Sequence, residues 1–196
     1  MGRNKTFDPD DVLDKAMNLF WQQGYEATSM SQLEKALGIN KFSIYNSFGN
    51  KHTLFLQALT RYREQRFGLM MLCLTQNNQG LSNIELFFNT LLMFLGSQDN
   101  NIGCFMTNTS LELSHKDPEA KQQVLLTYGM LEDGFYQCLQ IAQKKQDISP
   151  QLHLQDTARF LLTSAQGLLT LGKCTEDNRI LQSSVRFILA SLKSRS

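Results

Sequence analysis

The octet from Lys41 to Phe48 holds the side chains of this 196-residue chain best suited to read another polymer. If Ile44 points into a core, a helical step of ~100° per residue puts Phe42 and Asn46 on roughly the opposite side. Ser43 and Tyr45 then flank them. An exposed asparagine can make paired hydrogen bonds to an adenine edge, and an exposed phenylalanine can pack on a thymine methyl. Lys41 lies nearer the rim, where its stem can carry the ammonium toward a phosphate. On either side, Thr28-Ser29 and Asn50-Lys51 read as capped helix starts. Their free backbone N–H groups and positive dipole ends suit phosphate oxygens. The same pattern also fits a solvated helix pair with Phe42 folded back onto the first helix. Residue geometry alone leaves both readings open.

Short helices must hold these residues. Asp8-Pro9, Asp117-Pro118 and Ser149-Pro150 each set a capping side chain before a proline, the expected mark of a helix start. After Pro9, Leu13, Ala16, Met17 and Phe20 recur at i, i+3, i+4 and i+7, and Gly24 ends that stripe. Ser29-Met30-Ser31-Gln32 is a capping box; Leu33, Ala36 and Leu37 form the inward face that follows, and Gly38 stops it. Asn40 caps a third helix with Ile44 and Phe48 inward. Asn50 caps a fourth with Leu54, Ala58, Leu59 and Tyr62. Two short helices about Gly38-Ile39-Asn40 describe a helix-turn-helix. Longer helices are expected near 50–75, 82–96, 103–114, 117–145, 153–171 and 175–194. Polar breaks separate them at 77–80, 98–101, 115–116 and 146–149, and at Gly172. The chain is expected to be all-α: a three-helix domain over 6–66 and a helical bundle over 67–196.

Composition removes several classes. Hydrophobic residues reach 42% against 19% charged, too apolar for a disordered chain. The net charge of +1 gives no global sign of a nucleic-acid or membrane partner. Residues 1–11 lack the apolar run of a secretory signal. The stretch from Leu86 to Leu95, broken by Asn89 and Thr90, falls short of the ~20 residues of a membrane helix. Met1 to Thr6 fits a myristoylation pattern, and Asn4-Lys5-Thr6 and Asn108-Thr109-Ser110 fit glycosylation sequons; all three are short enough to arise by chance. Cys73, Cys104, Cys138 and Cys174 stand singly, which argues against a disulfide framework or a zinc knuckle and fits a reducing cytoplasm. His52, His115 and His153 are far apart, and no HExxH, GxSxG or phosphate loop occurs. No catalytic residue, metal or cofactor is expected. Residues 1–66 carry nine Lys+Arg against seven Asp+Glu. So weak a surplus implies feeble binding by one copy, and hence a need to dimerise.

Five pieces of the N-terminal segment resemble the DNA-binding region of the TetR family of bacterial transcription regulators. They are Val12-Leu13-Asp14-Lys15-Ala16, Leu19-Phe20, Gly24-Tyr25-Glu26-Ala27-Thr28-Ser29, Gly38-Ile39-Asn40-Lys41, and Ile44-Tyr45-Asn46-Ser47-Phe48-Gly49-Asn50-Lys51. They keep the family's spacing without a gap. The resemblance implies a cytoplasmic homodimer that binds a palindromic double-stranded operator and is released by a small ligand, most members being repressors. It implies backbone contacts from Thr28, Tyr45 and Lys51, with base reading by Lys41, Phe42, Ser43 and Asn46; Ser29 joins them as the cap of the second helix. Two positions depart from the family: Phe42 replaces a frequent Gly, Ala or Pro, and His52 a frequent Glu.

Beyond residue 66, the segment Gly103 to Leu113 followed by Asp117-Pro118 is more loosely similar to the ligand-domain opening of one subgroup. Phe67, Met71, Phe88, Phe94, Tyr128 and Phe135, with Cys104 and Asn108, are the expected lining of a mostly apolar effector pocket. Taken singly, each also fits ordinary bundle core. Asn108 and Glu112 lie one turn apart on an otherwise apolar helix. Cys104, at a helix start, is either a sensor of electrophiles or oxidants or a buried inert thiol. Phe160, Ser164, Gly167, Leu168 and Leu171, then Ile180, Ser183, Ser184, Phe187, Ile188 and Ser191, mix small and large residues as a four-helix dimer interface does. The same spacing suits a pair of helices within one chain. The rival to a DNA-binding regulator is a helical interaction module that uses Phe42 to bind protein.

Overall fold

The structure, a computed structural model, describes residues 7–97, 102–175 and 177–193. The myristoylation-like pattern, the first sequon and the break at 98–101 lie outside those residues. The described residues form helices and no strands. The chain divides into two compact units, Met1–Gln65 with Cys104–Val124, and Arg66–Gly103 with Leu125–Ser196. Cys104–Val124, expected in the C-terminal bundle, packs within the first unit.

In the first unit, α1 (Pro9–Gln23), α2 (Met30–Leu37), α3 (Lys41–Phe48) and α4 (Lys51–Tyr62) follow the expected punctuation. Asp8 accepts a backbone hydrogen bond from two residues on, Ser29, Asn40 and Asn50 from three residues on, and Ser29 and Gln32 close the capping box in both directions. Each such cap is worth about 1 kcal/mol. The α1 stripe is centred slightly off the expected line: Val12, Ala16, Met17, Phe20 and Trp21 are buried, and Leu13 only half so. In α2, Leu33 and Leu37 are buried but Ala36 is exposed, because an eight-residue helix buries only a narrow stripe. Phe20 meets Phe55 edge-on at 5.2 Å, and Trp21 meets Tyr62 at 5.0 Å. α7 (Phe105–Leu113) adds Phe105, which lies 5.7 Å from both Phe55 and Tyr62. Burying rings of this size contributes about 1.5–3 kcal/mol apiece, so α7 belongs to the core that supports α1 to α4. The Arg61 guanidinium grips the Asp14 carboxylate with two bonds, at 2.8 and 3.1 Å, and ties α4 to α1.

After α4 the helical ladder loosens to a π turn over Arg63–Phe67, then resumes as α5 (Gly68–Thr75). The second unit holds α5, α6 (Leu81–Gly96), the greater part of α8 (Pro118–Lys144), α9 (Leu154–Gly172) and α10 (Asn178–Leu192). Its centre is aromatic: Phe88 stacks on Phe135 at 5.8 Å, and Phe87 meets Phe135 edge-on at 5.0 Å. Asn83, buried, locks the α5–α6 turn. Its amide donates to the carbonyls of Cys73 (2.7 Å) and Gln76 (2.9 Å), and its oxygen accepts from the N–H of Gln79 (2.7 Å) and Gly80 (3.1 Å). Asp117-Pro118 starts α8, with Asp117 accepting from the Glu119 and Ala120 amides. Ser149-Pro150 does not start a helix. The Ser149 hydroxyl accepts from Gln151 N–H in a turn that goes no further, and α9 begins instead after His153, whose ring accepts from Asp156 N–H.

Candidate nucleic-acid interface

The α2–α3 turn depends on Gly38, which adopts φ +70°, a left-handed conformation that glycine reaches without the clash of a Cβ. The Asn40 carboxamide then accepts from Ser43 N–H at 2.9 Å and fixes the first turn of α3. Ile44 and Phe48 are fully or nearly fully buried, which turns the opposite face of α3 outward. Lys41, Tyr45 and Asn46 are exposed and Ser43 is half-buried. Phe42 is 73% exposed and is not folded back onto α1. Lys41 Nζ lies 5.8 Å from the Tyr45 ring centroid, so the two side chains share one edge of α3. One contact at this helix start is not readable locally: the Lys41 N–H donates to the Glu34 carboxylate, seven residues back on α2.

Flanking α3 are the two helix starts expected to meet phosphates. At α2 the capping box occupies the Ser29 and Gln32 amides, which leaves those of Met30 and Ser31 at the exposed end of the helix. The Thr28 side chain is fully buried and its hydroxyl donates to Gly24 carbonyl at 2.6 Å, so it shapes the turn from behind. At α4, Lys51 Nζ sits 4.2 Å from the centre of the Tyr25 ring. Partial burial draws the Lys51 pKa down; the nearby Glu26 and Glu112 carboxylates oppose this but do not cancel it. The Tyr25 phenol is pushed up by burial and by the Asp117 and Glu26 charges. His52, the second departure from the family pattern, hydrogen-bonds through Nε2 to Asp117 Oδ2 at 2.7 Å. Burial pushes the Asp117 carboxyl up, but the Ala120 amide, His52 and the Glu119 amide together bring it below the usual carboxylate value.

The eight expected pocket residues fall in both units. Cys104 and Asn108 belong to the first, where the Tyr62 hydroxyl donates to Cys104 Sγ at 3.4 Å. Phe67, Met71, Phe94 and Tyr128 are half-buried in the second unit, whereas Phe88 and Phe135 are completely buried in its aromatic centre. Glu112, expected beside Asn108 as a polar group of the pocket, instead turns its carboxylate onto the α1–α2 turn, accepting from Tyr25 N–H (3.1 Å) and Glu26 N–H (2.7 Å). A groove of about 310 Å³ in the second unit is lined by Leu152, His153, Asp156, Thr157, Phe160, Ser191 and Leu192, none of the eight. Among the described residues no cluster of three or more His, Cys, Asp or Glu is placed to hold a metal. No described helix is long and apolar enough to cross a membrane.

An all-α chain with a short outward-facing helix after a glycine turn, set between two capped helix starts, defines a helix-turn-helix DNA-binding regulator. Residues 12–58 match the model for bacterial regulatory proteins of the tetR family, and residues 80–188 match the tetracyclin repressor-like C-terminal domain. The chain is 34% identical over 170 residues to the HTH-type transcriptional repressor ComR of Escherichia coli (strain K12), covering 85% of this chain and 80% of that protein. It is 32% identical over 193 residues to the uncharacterized HTH-type transcriptional regulator YezE of Bacillus subtilis (strain 168), covering 98% and 100%. A solved structure of a cysteine mutant of the regulator CifR, in complex with 26-bp double-strand operator DNA, superposes with a TM-score of 0.87 at 23% identity, over 97% of this chain and 100% of that one. This chain belongs to the TetR family of bacterial transcription regulators. These relatives are regulators, not enzymes.

Proposed function

We propose that the chain represses transcription in the cytoplasm as a homodimer on an inverted-repeat operator. The observation that carries this is the outward face of α3, a large aromatic ring beside an asparagine and a lysine with both flanking helix starts open. In this reading α3 enters the major groove with Lys41, Phe42, Ser43 and Asn46 toward the bases. Tyr45, Lys51 and the α2 start at Ser29 meet phosphates, and Thr28 braces the turn behind them. The two half-sites lie about one helical turn apart, near 34–36 Å. The second subunit joins through the exposed residues of α9 and α10, Phe160, Gly167, Leu171, Ile180, Ser183 and Phe187. Release follows binding of a small, mostly apolar effector, supported by the Phe-, Met- and Tyr-rich composition of α5, α6 and α8. A coupling of ~1–3 kcal/mol would weaken operator binding by roughly 5–150-fold. Cys104, only half-buried, keeps an electrophilic effector within this reading.

The test is selection from sheared genomic DNA of the source organism with excess nonspecific competitor, followed by sequencing. An enriched inverted repeat whose retention collapses as salt rises supports the proposal. A folded dimer that enriches nothing overturns it and favours protein binding through Phe42.

A further inference from the structure

We propose that Glu112, outside the helix-turn-helix segment, is a positioning residue for DNA binding that holds the phosphate-facing edge of the first unit in place. This rests on the DNA-binding reading of α3. Glu112 is on α7, within the region that matches the family's C-terminal domain, yet both carboxylate oxygens are engaged 86 and 87 residues away, on the Glu26 and Tyr25 amides. The backbone is shaped to receive it. Gly24 sits at φ +82°, and a Cβ there would come within 2.8 Å of Glu112 Oε2. Lys116, on the same corner of the chain, pairs with Glu26 at 3.6 Å.

The gripped turn connects directly to the groups that face DNA. Tyr25, whose amide Glu112 holds, carries Lys51 on its ring and packs against Phe55 at 4.8 Å. The carbonyl of Gly24 receives the Thr28 hydroxyl, and Thr28 leads into the Ser29 cap of α2. Glu112 thus fixes, through one turn of backbone, both the α2 amides and the platform under Lys51. Its two hydrogen bonds go to the α1–α2 turn and not to α3. Its loss should therefore loosen phosphate contacts and leave base choice intact.

The test measures the full-length dimer binding its selected operator and a random duplex by fluorescence anisotropy across a salt series. Glu112→Ala is expected to weaken both duplexes by the same factor, roughly tenfold. Its salt dependence should be shallower, as for loss of Lys51. Glu112→Gln, which keeps an acceptor for Glu26 N–H, should recover part of the affinity. Gly24→Ala, which crowds the same carboxylate, should cost less in the Glu112→Ala background than alone, and this non-additivity reports the contact itself. Wild-type affinity and salt slope in folded Glu112→Ala would overturn the proposal. So would altered base preference, or an affinity loss that merely tracks the unfolded fraction. If Glu112→Ala does not fold, Glu112→Gln decides by the same readings. Failure of the wild type to select an operator would instead remove the DNA-binding reading beneath it.

Discussion

Phe42 on α3 and Phe187 on α10 are almost equally exposed, at 73% and 74%, yet they stand in opposite company. Around Phe42 are Lys41, Tyr45 and Asn46, side chains that hydrogen-bond or carry charge. Around Phe187 the helix offers Ser183, Ser184 and Ser191, with Arg186 exposed at its edge, Ile180 a further exposed aliphatic on α10, and Phe160 and Leu171 on α9. A ring among hydrogen-bonding groups can enter a polar groove, where only part of the surface it meets is apolar. A ring among small and aliphatic residues needs another apolar surface pressed against it. Exposure alone therefore does not say what covers a residue; its neighbours do.

The comparison can be broken most forcefully at Phe187. Phe187→Glu should convert the dimer to monomers in sedimentation analysis and lower operator affinity by roughly a hundredfold or more, since each charge is repeated across a two-fold interface. A dimeric Phe187→Glu would show that this face is not the interface. Lys51→Ala should weaken all duplexes by roughly tenfold and flatten the salt dependence by about two units of slope, one per subunit, with dimerisation unchanged. Asn46→Ala should cost about 1–3 kcal/mol of discrimination at one position of each half-site, read by sequencing a randomised operator pool. Phe42→Ala should likewise shift base preference while leaving the melting temperature close to wild type, because the ring packs little within the chain.

The smallest effect is expected at Asp117, which lies on neither face. Its carboxyl sits below the ordinary value when folded, so it contributes stability at neutral pH. That contribution is lost as pH falls through the folded value, below about pH 4. Asp117→Asn keeps the α8 cap but loses the charge on His52. It should lower stability by about 1 kcal/mol at pH 7 in thermal melts, and the difference should shrink as acid protonates Asp117.

What the sequence disclosed was local. The caps at Asp8, Ser29, Asn40 and Asn50 bond within three residues, so residue type and spacing suffice to find them. The outward turn of Phe42 and Asn46 follows from Ile44 by helical geometry alone. Contacts made across the fold were hidden. Glu112 looked like a polar group for a pocket, because nothing near it in sequence points to the turn at Tyr25. The Thr28 hydroxyl, by contrast, bonds only four residues back, to the Gly24 carbonyl, but residue type alone does not give its direction. The exposed Ala36 and the half-buried Leu13 show the limit of periodicity, which gives the direction of a face but not its width. The π turn at Arg63–Phe67 leaves no compositional mark, since its side chains are ordinary helix formers.

The α5–α6 turn has a consequence for mutational tolerance. Both hydrogens of the Asn83 amide and its oxygen are engaged by four backbone groups, so neither shape nor polarity alone would replace it. Aspartate would set lone pairs against the carbonyls of Cys73 and Gln76. Leucine would strand four backbone groups, two of them carbonyls and two of them amides. Of the twenty side chains, only asparagine has the length and the two-sided hydrogen bonding that this position requires. A saturation library selected for folding should return it almost alone at position 83, while the exposed positions beside it vary freely.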